Sequence, residues 1–224
     1  MFIQNIITNK ILNIKFKKAI LVGSSGDLLG ENKGEFIESF PVIIRMNNAK
    51  TIGYEKDVGK RTTIRIVNFN RINSILNPSF AKELSSTVHL ILYTNKQEDK
   101  FKLLPLLKIF KHLNIHIFTP TAIEHNDNLF QKYTGLNRRG TGTWLSTGWF
   151  SLFFMINYIV DKNIIGFGGE KENSLYKYFD NTNVKQKDKY IQSQNSPEGH
   201  RFITEKQIFN TWIQEHKLIF HKLA

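Results

Sequence analysis

Cysteine is absent from the 224 residues of this chain. Its absence excludes thiol catalysis, disulfide bonds and cysteine-ligated zinc. The sequence also lacks a run of roughly 18 apolar residues, the length that a membrane-spanning helix requires. No Asp-x-Asp pair occurs, so the carboxylate clamp that often holds a divalent cation is missing from the sequence. We therefore expect no metal ion and no cofactor.

Acidic residues are scarce relative to basic ones, with 19 Asp and Glu against 31 Lys and Arg, a formal charge of +12. Such a charge predicts an anionic partner, such as a nucleotide sugar, an acidic glycan or an anionic membrane surface. An even spread of solvated lysines is the alternative. No nucleic acid is expected, because zinc-finger spacing, RNP-like motifs and basic heptads are missing. Residues 1–18 form a basic segment that either touches a membrane or, as we favour, forms an ordinary first helix or strand.

Short apolar runs rich in β-branched residues recur along the chain and predict strands. Most of them are nearly continuous rather than alternating, which is typical of strands buried on both faces. Because helical patterns lie between them, we expect an α/β fold: a single domain over residues 1–224, with one mainly parallel sheet and helices on both faces. The predicted strands are Ala19–Gly23, Pro41–Asn47, Thr62–Asn68, His89–Thr94, Ile115–Thr119 and Asn163–Gly168.

Three segments have helical patterns: two place apolar residues on one face, and the middle one is apolar nearly all round, as a buried helix is. Thr204 and Gln207 have the spacing of a capping box at the start of the last one. The polar residues 181–199 show no periodicity, and we expect a mobile loop there. The predicted helices are Phe101–Leu113, Leu145–Val160 and Glu205–His216.

A loop of small residues, Val22-Gly23-Ser24-Ser25-Gly26, follows the first buried strand. Glycines in this position allow backbone N–H groups to approach a phosphate. The spacing matches neither the dinucleotide-binding fingerprint nor the Walker loop, so by itself it fits a plain strand-to-helix turn equally well. Two further polar strings follow, Arg45-Met46-Asn47-Asn48-Ala49 and Asp57-Val58-Gly59-Lys60-Arg61-Thr62-Thr63.

In order, spacing and identity, residues 19–68 resemble the large sialylmotif of the eukaryotic-type sialyltransferases, glycosyltransferase family 29. Residues 143–150 contain Ser-Thr-Gly and resemble the small sialylmotif. Residues 176–180 resemble the third motif, and residues 199–206 contain the H-x4-E of the very small motif. The small and very small motif strings are most similar to the subgroup that adds sialic acid α2,6 to N-acetylgalactosamine.

The resemblance implies a Rossmann-like, GT-A-type catalytic domain. Its expected activity is the transfer of sialic acid from CMP-sialic acid to a glycan or glycolipid hydroxyl, with inversion and without metal. The resemblance implies that His200 accepts the acceptor's proton, for which an ordinary imidazole pKa of about 6.5 is suitable. It implies that Lys177 stabilises the leaving phosphate. The implied donor-binding residues are Gly23, Ser24, Ser25 and Asn47 near the CMP, Ser146, Thr147 and Gly148 near the donor carboxylate and nucleotide, and Tyr178; the implied supporting residues are Arg45 and Asp57, as a buried pair, with Arg61 and Glu205.

Two departures from the family pattern fall at ligand positions. Ser24 replaces the family's asparagine, and Lys177 replaces the third-motif histidine, although an ammonium can also stabilise a phosphate. Two alternatives therefore stay open: a transferase for another CMP-activated keto-sugar, and a non-catalytic protein that binds a CMP-sugar or a glycan. Without the resemblance, Ser146 and Thr147 fit a helix cap that has no ligand.

The family's disulfide positions differ as well. Ala19 occupies the first position, and Ile159 and Val160 lie near the second, which suits a reducing compartment. The membrane anchor and stem of family members are missing from this sequence. We therefore expect a cytoplasmic enzyme, in contact with a membrane at most peripherally.

Overall fold

A computed structural model describes residues 2–94, 111–138, 140, 142–167, 171, 173–180 and 183–223. Eight strands of this part form one sheet in the order β1-β6-β5-β4-β3-β2-β7-β8. Only the edge pair β1–β6 is antiparallel; every other neighbouring pair is parallel. The strands are β1 Ile3–Asn5, β2 Phe16–Val22, β3 Val42–Met46, β4 Ile64–Asn68, β5 His89–Tyr93, β6 Asn114–Phe118, β7 Ile159–Ile165 and β8 Ile219–His221.

The strand order reverses beside β2. Strands β2 to β6 follow one another outward in one direction, whereas β7 lies on the other side of β2. In an open parallel sheet, ligands bind outside the carboxyl ends of the strands at such a switch point. The topology therefore predicts a ligand site among the loops after β2, β3, β4, β5 and β7.

Helices cover both faces of the sheet. The core of the first face contains apolar residues of α4, α5 and α7. The second face has two smaller cores, built with the short helices and turns of the first half of the chain. The described helices are α1 Gly34–Glu38, α2 Glu55–Val58, α3 Ile72–Leu76, α4 Pro120–Thr134, α5 Thr147–Tyr158, α6 Gln186–Asn195 and α7 Phe202–Gln214, with 3₁₀ turns at Gly26–Leu28, Phe69–Arg71 and Pro78–Leu84.

The expected α/β architecture is confirmed, and the predicted strands lie within one or two residues of the observed ones except at β2, which begins three residues earlier than predicted, and at β7. That strand begins at Ile159, directly after α5. The predicted helix there ends two residues too late, because its last apolar residues are β-branched and belong to the strand. The N-terminal segment contributes the edge strand β1. The helix predicted at Phe101–Leu113 lies mostly outside the described residues.

Two local predictions in the C-terminal third are wrong. Part of the expected loop at 181–199 is the helix α6, which has no apolar stripe and is fixed instead by tertiary contacts, including the stacking of Tyr190 on Phe202. The capping box is not formed, because α7 begins at Phe202 and Arg201 is its cap residue. Thr204 instead bonds the side chain of Gln194 on α6.

Among the described residues, no helix has both the length and the apolar composition needed to cross a bilayer. The cytoplasmic location and the peripheral membrane contact stay predictions.

Candidate active site

A cavity of about 600 Å³ opens at the carboxyl edge of the sheet, where the loops after five parallel strands meet. Its walls combine these loops with the start of α5 and the segment that leads into α7. Most of the residues implied by the motifs lie on it. From the sequence-predicted set, the cavity is lined by Gly23, Ser24, Ser25, Asn47, Ser146, Thr147, Gly148, Lys177, His200 and Glu205.

The glycine at position 23 is required by a close approach of two loops. Its N–H donates to Ile165 O at 2.8 Å, and a Cβ at this position would lie 1.8 Å from the carbonyl oxygen of Gly166. No larger residue fits there unless the loops after β2 and β7 separate. The loop Gly23–Ser25, which we call the floor of the cavity, depends on this glycine for its position.

Ser24 and Ser25 continue this floor. Ser25 is buried and caps the following 3₁₀ turn, and its hydroxyl also contacts Ser174 and Gln186 at 3.3 Å each. The carbonyl oxygen of Ser24 accepts the N–H of Tyr178 at 3.0 Å. These contacts attach the loop to the segment that carries Lys177.

Four polar side chains from four different elements form a closed ring of hydrogen bonds. Asn47 Nδ2 donates to Thr147 Oγ1 at 3.0 Å, and Thr147 Oγ1 lies 2.7 Å from the hydroxyl of Tyr93. Asn68 Nδ2 donates to that tyrosine hydroxyl at 2.9 Å, and the N–H of Asn68 donates to Asn47 Oδ1 at 3.0 Å. Asn47 has a φ of 45°, in the left-handed region that asparagine tolerates. The ring fixes the start of α5 against the ends of β3, β4 and β5.

The small-motif serine is the cap of α5, as expected. Ser146 Oγ accepts the N–H of Trp149 at 3.1 Å, so Thr147 and Gly148 occupy the first turn of the helix beside the cavity. Ser146 also donates its N–H to Glu205 Oε1 at 2.9 Å and its hydroxyl to Glu205 Oε2. Glu205 thus connects α7 to the cap of α5 rather than capping its own helix.

Burial changes the ionisation of Glu205. The side chain is 1% exposed, and burial raises its pKa from 4.5 to about 7, although the two hydrogen bonds from Ser146 oppose this shift. The supporting role of Glu205 stays a prediction, and the contact that the structure shows is the one with the cap of α5.

The imidazole of His200 lines the cavity with a defined tautomer. Its Nδ1 lies 2.8 Å from the carbonyl oxygen of Trp144. A carbonyl only accepts, so Nδ1 carries the proton and the neutral ring has its lone pair on Nε2. Burial is the main cause that lowers the pKa of His200; the bond to Trp144 opposes it, and the charges of Arg71 and Lys189 add to it. At neutral pH the ring is therefore available as a base.

Lys177 lines the same cavity between two aromatic rings. Its Nζ lies 5.4 Å from the ring centroid of Tyr176 and 5.6 Å from that of Phe179. Burial lowers the pKa of Lys177; Asp180 opposes this effect, and nearby cations reinforce it. The result is a cation at the cavity wall that an anionic ligand would stabilise.

The predicted buried pair of Arg45 with Asp57 is wrong. Arg45 is fully buried and donates to the carbonyl oxygens of Arg61 and Val58 at 3.2 and 2.5 Å, whereas Asp57 accepts the N–H of Asn32 at 2.9 Å. Arg45 lies on an interior face of β3, so it meets backbone carbonyls instead of the partly exposed carboxylate. Arg61 supports the same region through an ion pair of 2.7 Å with Glu38.

Tyr178 does not line the described cavity. Its side chain is 3% exposed, packs in the core of the second face, and donates its hydroxyl to Lys50 O at 2.5 Å. The donor-binding role implied for Tyr178 therefore has no geometric support. Because the motif places it beside Lys177, its contact with the loop after β3 instead holds Lys177 in position.

Many cavity residues lie outside the sequence-predicted set, among them Asn68, Arg71, Tyr93 and Trp144. Asn68 and Tyr93 end the predicted strands β4 and β5, so the rule for parallel sheets identifies their position, although not their bonds. Trp144 lies within the small-motif string at residues 143–150, but its backbone contact to His200 depends on the tertiary fold. In the described part of the chain, no group of three or more metal-binding side chains is present.

A family comparison agrees with this geometry. The sequence model for glycosyltransferase family 29 (sialyltransferase) matches residues 4–217. The chain therefore belongs to glycosyltransferase family 29, the sialyltransferases.

Two human relatives carry more specific names. The chain is 31% identical over 233 residues to alpha-N-acetylgalactosaminide alpha-2,6-sialyltransferase 3, covering 96% of this chain and 76% of the relative. It is 29% identical over 221 residues to alpha-N-acetyl-neuraminyl-2,3-beta-galactosyl-1,3-N-acetyl-galactosaminide alpha-2,6-sialyltransferase, covering 91% and 73%.

The fold is similar to that of a crystallised mammalian sialyltransferase, with a TM-score of 0.66, 21% identity, and coverage of 98% of this chain and 73% of that chain. A second mammalian sialyltransferase structure, in complex with Gal-beta-1-3GalNAc-ortho-nitrophenol, has a TM-score of 0.65 at 20% identity, with coverage of 93% and 70%.

Proposed function

We propose that this protein transfers sialic acid from CMP-sialic acid to a hydroxyl of a glycan, with inversion at the anomeric carbon and with His200 as the general base. The observation that carries the proposal is the Nδ1 contact of His200 with Trp144 O at 2.8 Å, in a cavity that also holds Lys177. The proposal includes the GT-A-type form of the fold, which the parallel sheet with its cavity at the carboxyl edge supports.

The proposed step moves one proton and one glycosyl group. The acceptor oxygen attacks the anomeric carbon from the side opposite the phosphate, and Nε2 of His200 accepts the hydroxyl proton. The bond from the anomeric carbon to the phosphate oxygen breaks, and its electron pair leaves with CMP. The ammonium of Lys177 stabilises the charge that develops on the departing phosphate.

The floor and the first turn of α5 fit the nucleotide part of such a donor. The loop Gly23–Ser25 brings backbone close to the cavity, and Thr147 and Gly148 lie in the first helical turn, where negative charge is favoured. Asn47 contributes by holding Thr147 in the ring of hydrogen bonds. No step in this scheme needs a metal ion.

For the acceptor, we propose the 6-hydroxyl of an N-acetylgalactosamine-type sugar. The names of the relatives and the small-motif string support this choice. The half-exposed indole of Trp144 lies at the cavity beside His200 and offers a flat apolar surface for a sugar ring.

A direct test incubates the purified protein with CMP-sialic acid and a Gal-β1,3-GalNAc glycoside in the presence of EDTA. Free CMP and the mass and linkage of the glycan product are measured together. We expect CMP release that depends on the acceptor, continues in EDTA, and yields an α2,6-sialylated product.

Two other outcomes correspond to the open alternatives. Turnover of a different CMP-activated keto-sugar, with none of CMP-sialic acid, would assign a changed donor. Tight CMP binding without turnover of any CMP-sugar would assign a binding protein.

A further inference from the structure

Arg71 is a cavity residue that no motif accounts for. It ends the 3₁₀ turn that follows β4, and this turn is fixed because Asn68 Oδ1 accepts the N–H of Asn70 at 2.8 Å. Asn68 itself belongs to the ring of hydrogen bonds at the start of α5. Arg71 is therefore an exposed side chain on a rigidly held turn at the edge of the cavity.

Arg71 lines the same cavity as His200 and Lys177. Among the described residues it forms neither a hydrogen bond nor an ion pair. Burial raises the pKa values of Tyr93 and Tyr176 and the charge of Arg71 opposes that rise, whereas burial lowers the pKa of His200 and the charge of Arg71 adds to that fall. The same charge also lowers the pKa of Lys177. Two cations thus repel each other across the cavity close to the base.

The chemistry of the proposed donor explains two neighbouring cations. In CMP-sialic acid the anomeric carbon carries both the phosphate oxygen and the carboxylate, so two negative charges are attached to one atom. That carbon must also lie near His200 if the base is to serve the attacking hydroxyl. A ligand with two such anions would relieve the repulsion between Arg71 and Lys177.

The two cations lie on different segments of the cavity wall, so each can bind a different one of these anions. Lys177 belongs to the segment bonded to the loop after β2, whereas Arg71 lies in the turn after β4, the strand beside β5, whose last residue Tyr93 lines the same cavity. A planar guanidinium binds a carboxylate through two parallel hydrogen bonds, which an ammonium does not.

We propose that Arg71 binds the carboxylate of the donor's sugar, and that it thereby selects CMP-activated sugar acids. This inference rests on the proposed function, because it requires a CMP-sugar in the cavity. Arg71 positions the donor, while Lys177 acts on the phosphate.

Titration calorimetry with two ligands tests which of the two anions Arg71 binds. The ligands are CMP, which has no carboxylate, and a fluorinated, non-transferable analogue of CMP-sialic acid, which has one. For Arg71→Ala we expect affinity for the analogue to fall on the order of 10- to 100-fold, the loss typical of one hydrogen-bonded charge. Affinity for CMP should change by less than about 3-fold, because Lys177 is intact. The affinity of Arg71→Lys for the analogue should lie between those of the wild type and Arg71→Ala, since lysine keeps the charge but lacks the two parallel N–H donors of the guanidinium.

Lys82→Ala is the matched control, because it removes an exposed cation that does not line the cavity. It should bind both ligands as the wild type does. An equal loss of both ligands in Arg71→Ala, or no loss of either, would overturn the assignment of the carboxylate to Arg71. If the wild type itself bound neither ligand, the proposed donor would be wrong, and this inference with it.

Discussion

Glu205 provides a stability test that depends on pH. Its carboxylate is 1% exposed and has Ser146 as its hydrogen-bond partner through both oxygens. The proposed change is Glu205→Gln, which keeps the size of the side chain and an oxygen that accepts the N–H of Ser146. It removes the titrating group and replaces Oε2, which accepts the hydroxyl of Ser146, by an amide NH₂ that can donate to that hydroxyl.

The expected magnitude follows from the pKa of Glu205, which burial raises from 4.5 to about 7. Between these two values the unfolded chain releases the proton while the folded chain retains it. The stabilising contribution is therefore complete below pH 4.5 and is lost as the pH rises to about 7. A displacement of this size corresponds to a change of about 3 kcal/mol in the free energy of unfolding.

The assay is urea unfolding of the wild type and Glu205→Gln at a series of pH values from 4.5 to 8. The difference between the two curves removes the contribution of every other titrating group. We expect the wild type to lose about 3 kcal/mol relative to the variant across this range. Parallel curves, or a wild type that gains relative stability as the pH rises, would refute the reasoning.

Two further predictions concern the floor and the ring of the cavity. Thr147→Val removes the hydroxyl shared by Asn47 and Tyr93 and should cost about 1–3 kcal/mol in urea unfolding, whereas Thr147→Ser should lie near the wild type; equal losses in the two variants would contradict the ring. Gly23→Ala places a Cβ against the backbone after β7 and should cost about 2 kcal/mol or more. Gly140→Ala, whose Cβ meets only ordinary contacts, is the control, and equal stability of these two variants would be the contrary result.

Much of the fold and part of the site follow from the sequence because they depend on local patterns. Continuous apolar runs such as the one at Ile43 and Ile44 identify strands buried on both faces. Since the carboxyl ends of parallel strands share one edge, the polar residues after them converge, as Gly23 and Asn47 do. The cap formed by Ser146 is likewise a local property.

The remaining features depend on contacts between distant segments. Helix α6 has too few apolar residues to be predicted from the sequence. Burial of Ser193 and stacking of Tyr190 on another segment hold it in place. The partners of Arg45 are backbone carbonyls, which no residue pattern encodes. The ring around Thr147 joins residues up to 100 positions apart. Such contacts form only when the tertiary structure brings the loops together, so local sequence patterns do not predict them.

The kinetics of His200→Ala test the proposed role of this histidine most directly. The variant is compared with His125→Ala, which removes an exposed histidine of α4 that does not line the cavity. Transfer from CMP-sialic acid and CMP affinity are measured on the same preparations. We predict that kcat falls by about 100-fold or more in His200→Ala while CMP affinity changes by less than about 3-fold, and that His125→Ala behaves as the wild type. Transfer at the wild-type rate by His200→Ala would contradict the assignment of His200 as the base.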